Sequence, residues 1–144
     1  ERGARVPGGR GGDQPRPADA GDGMSLLVVA GVGALGGFGA IARFLLDGSV
    51  SGRLGRGFPF GTLAVNVSGA FVLGALAGAT LSDTAYRLAG LGLIGGFTTY
   101  STWALESHRL AEDGALRHGL LNLAVSLALG IPALWAGRHL GAAL

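Results

Sequence analysis

The stretch GTLAVNVSGAFVLGALAGATLS, Gly61 to Ser82, runs 22 residues without a charge. A helix rises about 1.5 Å per residue, so about 20 residues cross the roughly 30 Å hydrocarbon layer of a bilayer. Working outward, three more such runs appear: Met24–Ala42 with 19 uncharged residues, Leu88–Leu105 with 18 between Arg87 and Glu106, and Gly119–Gly137 with 19. Four in succession predict an all-α membrane protein of four transmembrane helices, spanning about residues 25–46, 61–82, 87–108 and 118–138. The charges fall in short connections: Asp47, Arg53 and Arg56, then Asp83 and Arg87, then Arg109, Glu112, Asp113 and Arg117. Phe58-Pro59 stands just before the second span, where an interfacial aromatic and a helix-starting proline belong.

Composition agrees. The 144 residues have room for one domain, with 49% apolar and only 14% charged residues, where a soluble domain carries about a quarter charged. Twenty-nine glycines suit helices whose backbones approach closely. No cysteine is present, which excludes disulfides and thiolate metal sites. The formal charge is +2 and all eleven basic residues are arginines, but no basic run or basic helix face points to nucleic acid. Residues 1–23 are rich in Gly, Pro, Arg and Asp and cannot bury a core. They read as a disordered cytosolic tail or as sequence upstream of a true start at Met24, leaving residues 24–144 as the domain.

The third run contains Gly95-Gly96-Phe97-Thr98-Thr99-Tyr100-Ser101-Thr102-Trp103 at mid-membrane. Helix propensity is poor there, and the hydroxyls compete for the backbone. One reading is a tightly packed glycine contact. The other is a broken helix that exposes carbonyls and helix ends to an ion, which membranes tolerate only beside protein or a water-filled cavity. Other polar residues fall in register: Thr62 and Asn66 four apart on the second span, Asn122 and Ser126 four apart on the fourth, and Tyr100, Trp103 and Glu106 along one stripe of the third. A single pair of this kind is often a helix cross-link of about 0.6 kcal/mol. Two ladders beside a polar break favour a permeation path. The interior offers amides, hydroxyls, an indole N–H and electropositive ring edges, while the acidic Asp47 and Glu106 lie only at span ends. That chemistry suits a small anion or a neutral solute. Arg43, ending the first span, either draws anions to a vestibule or snorkels to the headgroups. Gly74–Gly78 and Gly92–Gly96 read as packing contacts.

Gly36-Gly37-Phe38-Gly39-Ala40-Ile41-Ala42-Arg43-Phe44, Gly61-Thr62-Leu63-Ala64-Val65-Asn66-Val67-Ser68-Gly69 and the Gly95–Trp103 segment, in this order and spacing, resemble the Fluc (CrcB) fluoride channels. The likeness covers essentially Met24 to Leu144. It implies passive fluoride efflux across the cell membrane, with no enzymatic step. It also implies an antiparallel dual-topology dimer, formed with itself or a close paralogue, with pores along the subunit interface. A structural Na⁺ at the dimer centre would be held by backbone carbonyls at Gly95 and Thr98. By the same likeness, Asn66 is the pore asparagine, Arg43 the vestibule arginine, with Glu106 beside it, and Asn122, Ser126 and Gly130 the polar track of the fourth helix. Tyr100 and Trp103 stand where the family has two pore phenylalanines, and Asn122 where a tyrosine is usual; these departures put pore width and rate in question.

Two rivals remain at the level of sequence. A small dual-topology cation transporter would carry a carboxylate in mid-membrane, which this first span lacks. A purely structural subunit would leave the polar segment idle. Arginine counts lean weakly: Arg53, Arg56, Arg109 and Arg117, with Arg43 at the border, lie on one side, against Arg87 and Arg138 on the other. The four arginines of residues 1–23 would reverse that lean, so weak or dual topology is expected.

Overall fold

A computed structural model describes residues 25–55 and 57–144; the expectation for residues 1–23 lies outside them. The described residues are helical, without strands. Helix α1 (Leu26–Leu54) starts where the Ser25 hydroxyl accepts from the Val28 N–H at 3.3 Å. It ends at Gly55, whose φ of 85° suits glycine. Its 29 residues extend well past the expected end near residue 46, carrying Asp47 and Ser51 in its last turns, and exceed the length that a bilayer core requires. Helix α2 (Phe60–Gly78) stops short of the expected residue 82. Ala79 is extended, and the Ser82 hydroxyl instead caps the next helix by accepting from the Ala85 N–H at 3.3 Å.

The next stretch is assembled from pieces. A short α3 (Asp83–Tyr86) runs into a π-helical segment (Arg87–Ile94), then α4 (Gly95–Phe97), then α5 (Tyr100–Glu112). The π-segment was not expected from sequence. Its wide turn carries Gly90 and Gly92, weak helix formers, and sends the Gly95 N–H five residues back to the Gly90 carbonyl. Finally, α6 (Leu116–Ala142) tolerates Pro132 within it. Three helices, α1, α2 and α6, are each long and apolar enough to cross a membrane.

Glycines set the packing. A Cβ added to Gly74 or Gly78 of α2 would run into the carbonyls of Leu134 or Arg138 on α6. One added to Gly137 or Gly141 would meet those of Phe71 or Ala75 on α2. Likewise α1 abuts the third segment at Gly36 and Gly39, opposite Gly92 and Gly96. The Gly74–Gly78 and Gly92–Gly96 pairs are therefore backbone contacts, as small-residue packing requires.

The interior is inverted relative to a soluble domain. Among the described residues only Val65 and Ile94 are large apolar side chains that are buried, whereas Thr62, Thr99, Ser107 and Asn122 are buried polar ones. Phe38, Phe44, Ile131 and Trp135 are each about two-thirds exposed or more. A chain that turns leucine and phenylalanine outward and hydroxyls and amides inward is built for a hydrocarbon solvent.

Candidate functional site

Between α4 and α5 the backbone leaves the helix. Thr98 (φ −77°, ψ 159°) and Thr99 (φ −146°, ψ 124°) are extended. The Thr98 N–H still reaches the Ile94 carbonyl at 2.9 Å, and its hydroxyl donates to the same oxygen at 3.0 Å. The Thr99 N–H does not continue the ladder. It donates to Asn66 Oδ1 at 2.8 Å, while Asn66 Nδ2 donates to the Thr99 carbonyl, also at 2.8 Å. One amide on α2 thus satisfies both backbone groups of one residue. The Thr99 hydroxyl then caps α5, accepting from the Thr102 N–H at 3.2 Å and donating to the Thr102 hydroxyl at 3.0 Å.

A second polar knot ties α5 to α6. Asn122, fully buried, donates through Nδ2 to Ser107 Oγ at 2.9 Å, and Ser107 Oγ donates to the Trp103 carbonyl at 2.8 Å. Trp103 Nε1 donates to the Asn122 carbonyl at 3.4 Å. The Trp103 ring lies against Tyr100, with centroids 5.6 Å apart and planes inclined at 58°. Close approach is possible because Gly119 faces the Ser107 carbonyl, where a Cβ would sit 2.6 Å away.

These groups surround three cavities that share walls. At one mouth a cavity of about 390 Å³ lies among Asp47, Ser51, Phe58, Glu106, Arg109 and Asp113. Asp47 also borders the next, of about 210 Å³, with Arg43, Thr62, Val65, Thr99 and Thr102. Thr99 borders that one and the third, of about 270 Å³, with Asn66, Thr98, Tyr100, Trp103, Ser126 and Leu127. The clamped Thr99 is therefore the partition between the second and third. Three buried side-chain atoms along this series have no partner, Thr62 Oγ1, Glu106 Oε2 and Ser126 Oγ, and Asn122 Oδ1, between α5 and α6, is a fourth. Buried hydroxyls and amides left unpaired cost about 1–3 kcal/mol each, which is tolerated where a ligand or water completes them. No grouping of three or more His, Asp or Glu residues that could hold a metal occurs among the described residues.

The expected site residues thus divide. Asn66, Tyr100, Trp103 and Ser126 meet at one cavity, and Thr98 joins them. Thr62 and Arg43 meet at the next. Glu106 leaves the stripe it shares with Tyr100 and Trp103 and faces the mouth with Asp47. Asn122 is sealed between helices and binds Ser107; around Gly130 a Cβ would meet nothing within 4 Å. Gly95 is exposed on the surface of the single chain. The roles of Thr99, Thr102 and Ser107 were not read from sequence. Their hydroxyls stood in plain view, but only the fold brings them to Asn66 and Asn122.

The inverted interior, three long apolar helices and a polar cavity series define a multi-pass α-helical protein of the cell membrane. The family model "CrcB-like protein, Camphor Resistance (CrcB)" matches residues 30–138, and the chain belongs to that family. It is 47% identical over 115 residues to "Fluoride-specific ion channel FluC 2" of Mycobacterium bovis, covering 80% of this chain and 91% of that one. It is 42% identical over 117 residues to "Fluoride-specific ion channel FluC" of Geobacter sulfurreducens, covering 78% and 94%. The protein of that same name from Vibrio campbellii is 41% identical over 123 residues, covering 81% and 97%.

Proposed function

We propose that this protein is a fluoride-selective ion channel that carries fluoride passively out of the cytosol. The observation that carries the reading is the series of wall-sharing polar cavities from Arg43 and Thr62 to Tyr100, Trp103 and Ser126, in a chain of this family. Fluoride is small and strongly hydrated, so a selective path must replace its water with close donors and still release it. Thr62 and Ser126 hydroxyls without partners, and the second N–H of Asn66, supply neutral donors. The edges of Tyr100 and Trp103 add weak positive potential. None of these fixes a charge that would trap the ion, and Arg43 concentrates anions at the approach.

The third cavity is open along one side, and Tyr100 is 76% exposed. A conducting path needs that side closed. We read the closing surface as a second copy of this chain, or a close paralogue, inserted in the opposite sense, with segment 83–112 as a discontinuous fourth span. The helical run that ends at Phe97 turns carbonyls and a negative dipole end toward the junction at Thr98, which supports this reading. Hard backbone oxygens of this kind suit Na⁺ rather than a transition metal. Gly95 and Thr98 with their counterparts would hold it and join the two copies.

The test is fluoride efflux from liposomes, run beside chloride and a cationic dye. Fluoride alone should leave; dye movement or no movement would overturn the reading. Cysteines at Ser51 and Thr84, labelled from each side, should each react from both. Reaction of each from one side only, in a chain that conducts without a paralogue, would exclude the antiparallel homodimer.

A further inference from the structure

The Asn66 amide lines one cavity and holds Thr99, the partition to the next, through bonds that go to backbone rather than toward either space. In a continuous helix the Thr99 N–H would be donated to the Gly95 carbonyl four residues back. Here it is taken by Asn66 Oδ1, and the Thr99 carbonyl is taken by Asn66 Nδ2. Both lengths are 2.8 Å, at the short side of the ordinary N–H···O range, and Thr99 is only 8% exposed. Among the described residues no other side chain bonds the Thr99 backbone N–H or carbonyl. Val65 is fully buried beside it, and Gly69, one turn along α2, has its missing side chain replaced by Thr98 Cγ2 and Phe97. The chain is therefore pressed against α2 at Gly69 and hydrogen-bonded to it at Asn66, three residues apart on one helix.

We propose that Asn66 is a positioning residue that holds the third segment open at Thr98–Thr99 and, by diverting the Thr99 N–H, leaves the Gly95 carbonyl free to bind a cation. An apolar residue of the same size offers Thr99 nothing. Its N–H then returns to Gly95, the only way to avoid a buried orphan, and the helix closes through the break. One side chain on α2 in this way sets both the partition between the cavities and the oxygens of the proposed Na⁺ site. The cation arm of this inference rests on that Na⁺ reading; the conformational arm does not.

The experiment compares the wild-type chain with Asn66→Leu in lipid bilayers, by solid-state NMR Cα and carbonyl shifts of Thr98 and Thr99. The stability of the assembled protein is followed in Na⁺ against a large organic cation. Wild type should show extended shifts at both threonines, and Asn66→Leu helical ones. The stabilisation by Na⁺ should fall about tenfold or more in the variant, equivalent to about 1.4 kcal/mol of lost coupling. Asn66→Ser, too short to span both groups, should lose the extended shifts as well and guards against a leucine variant that does not assemble. Gly37→Ala, on the free face of α1 where a Cβ meets nothing within 4 Å, should keep wild-type shifts and wild-type Na⁺ dependence. Extended shifts that persist in both Asn66 variants while flux collapses would overturn the proposal and make Asn66 a contact of the ion alone. Wild-type protein indifferent to Na⁺, with shifts that still change in the variants, would remove the cation reading and keep the clamp.

Discussion

The seam between α2 and α6 and the junction between α4 and α5 meet α2 at different levels, at Gly74 and Gly78 near its end and at Asn66 and Gly69 near its middle, and are held by different forces. Along the seam, Gly74, Gly78, Gly137 and Gly141 let two backbones touch, and no side-chain hydrogen bond is involved. At the junction, Asn66 holds an extended threonine with two hydrogen bonds, and side chains of Thr99 and Thr102 finish the work. Hydrocarbon gives helices no hydrophobic reason to associate, so contact distance alone supplies the dispersion energy of the seam. The same solvent makes a broken backbone very costly unless each freed group finds a partner. The seam is thus rigid and chemically blank, while the junction is chemically rich and depends on a few atoms.

The largest effect expected is at the seam. In Gly137→Leu the new Cβ would fall within 2.9 Å of the Phe71 carbonyl carbon and 3.0 Å from the Ala75 nitrogen. Backbone on the facing helix cannot give way as a flexible side chain would, so the packing of the two helices itself fails, and folded protein should be lost after detergent extraction, as seen by size-exclusion chromatography. A stable, well-assembled leucine variant would show that the seam is looser than its geometry.

Next comes the junction. Asn66→Asp places an acceptor against the Thr99 carbonyl and a charge beside the anion. At about 4 Å and an effective dielectric near 20 that repulsion is about 4 kcal/mol, or roughly a thousandfold in flux. Liposome efflux should fall accordingly with assembly intact. Unchanged flux in an assembled protein would take Asn66 out of the path.

Tyr100→Ile and Trp103→Ile should act more gently. Each removes ring-edge interactions of about 0.5–1.5 kcal/mol, so flux should drop about threefold to tenfold, and further in the double variant. Trp103→Ile also removes the bond to the Asn122 carbonyl, so its melting temperature should fall slightly while that of Tyr100→Ile holds. A double variant that conducts normally would make both rings packing residues. The smallest change expected is Gly37→Ala, on the free face of α1 where a Cβ meets nothing within 4 Å. Alanine is the better helix former, so stability there should hold or rise by up to about 1 kcal/mol, the control against which the seam glycines are judged.

Much of this division is legible in the amino-acid sequence. The uncharged runs mark the three long helices because length and hydropathy are local properties that lipid reads directly. The Gly74–Gly78 spacing marks a packing face for the same reason. The limits of α1 and α2 were less legible: α1 continues through Asp47 and Ser51 because helix propensity does not end where the bilayer does. Ser82, uncharged and apparently part of a span, leaves it because its hydroxyl does more as a cap. Glu106 was grouped with Tyr100 and Trp103 by spacing alone, but six residues on a helix turn through about 600°, and it faces the mouth instead.

By itself the sequence determined that this chain lives in a membrane, where its helices run, and which few polar side chains sit among them. Those are consequences of composition along a line, and hydrocarbon enforces them segment by segment. Only the tertiary structure decided what the polar side chains do. It set Asn66 on the Thr99 backbone 33 residues away, Asn122 on Ser107 15 residues away, and Thr62 beside Arg43. Hydrogen bonds are short and directional, so which donor meets which acceptor depends on how glycine-lined helices cross, a property no single segment contains.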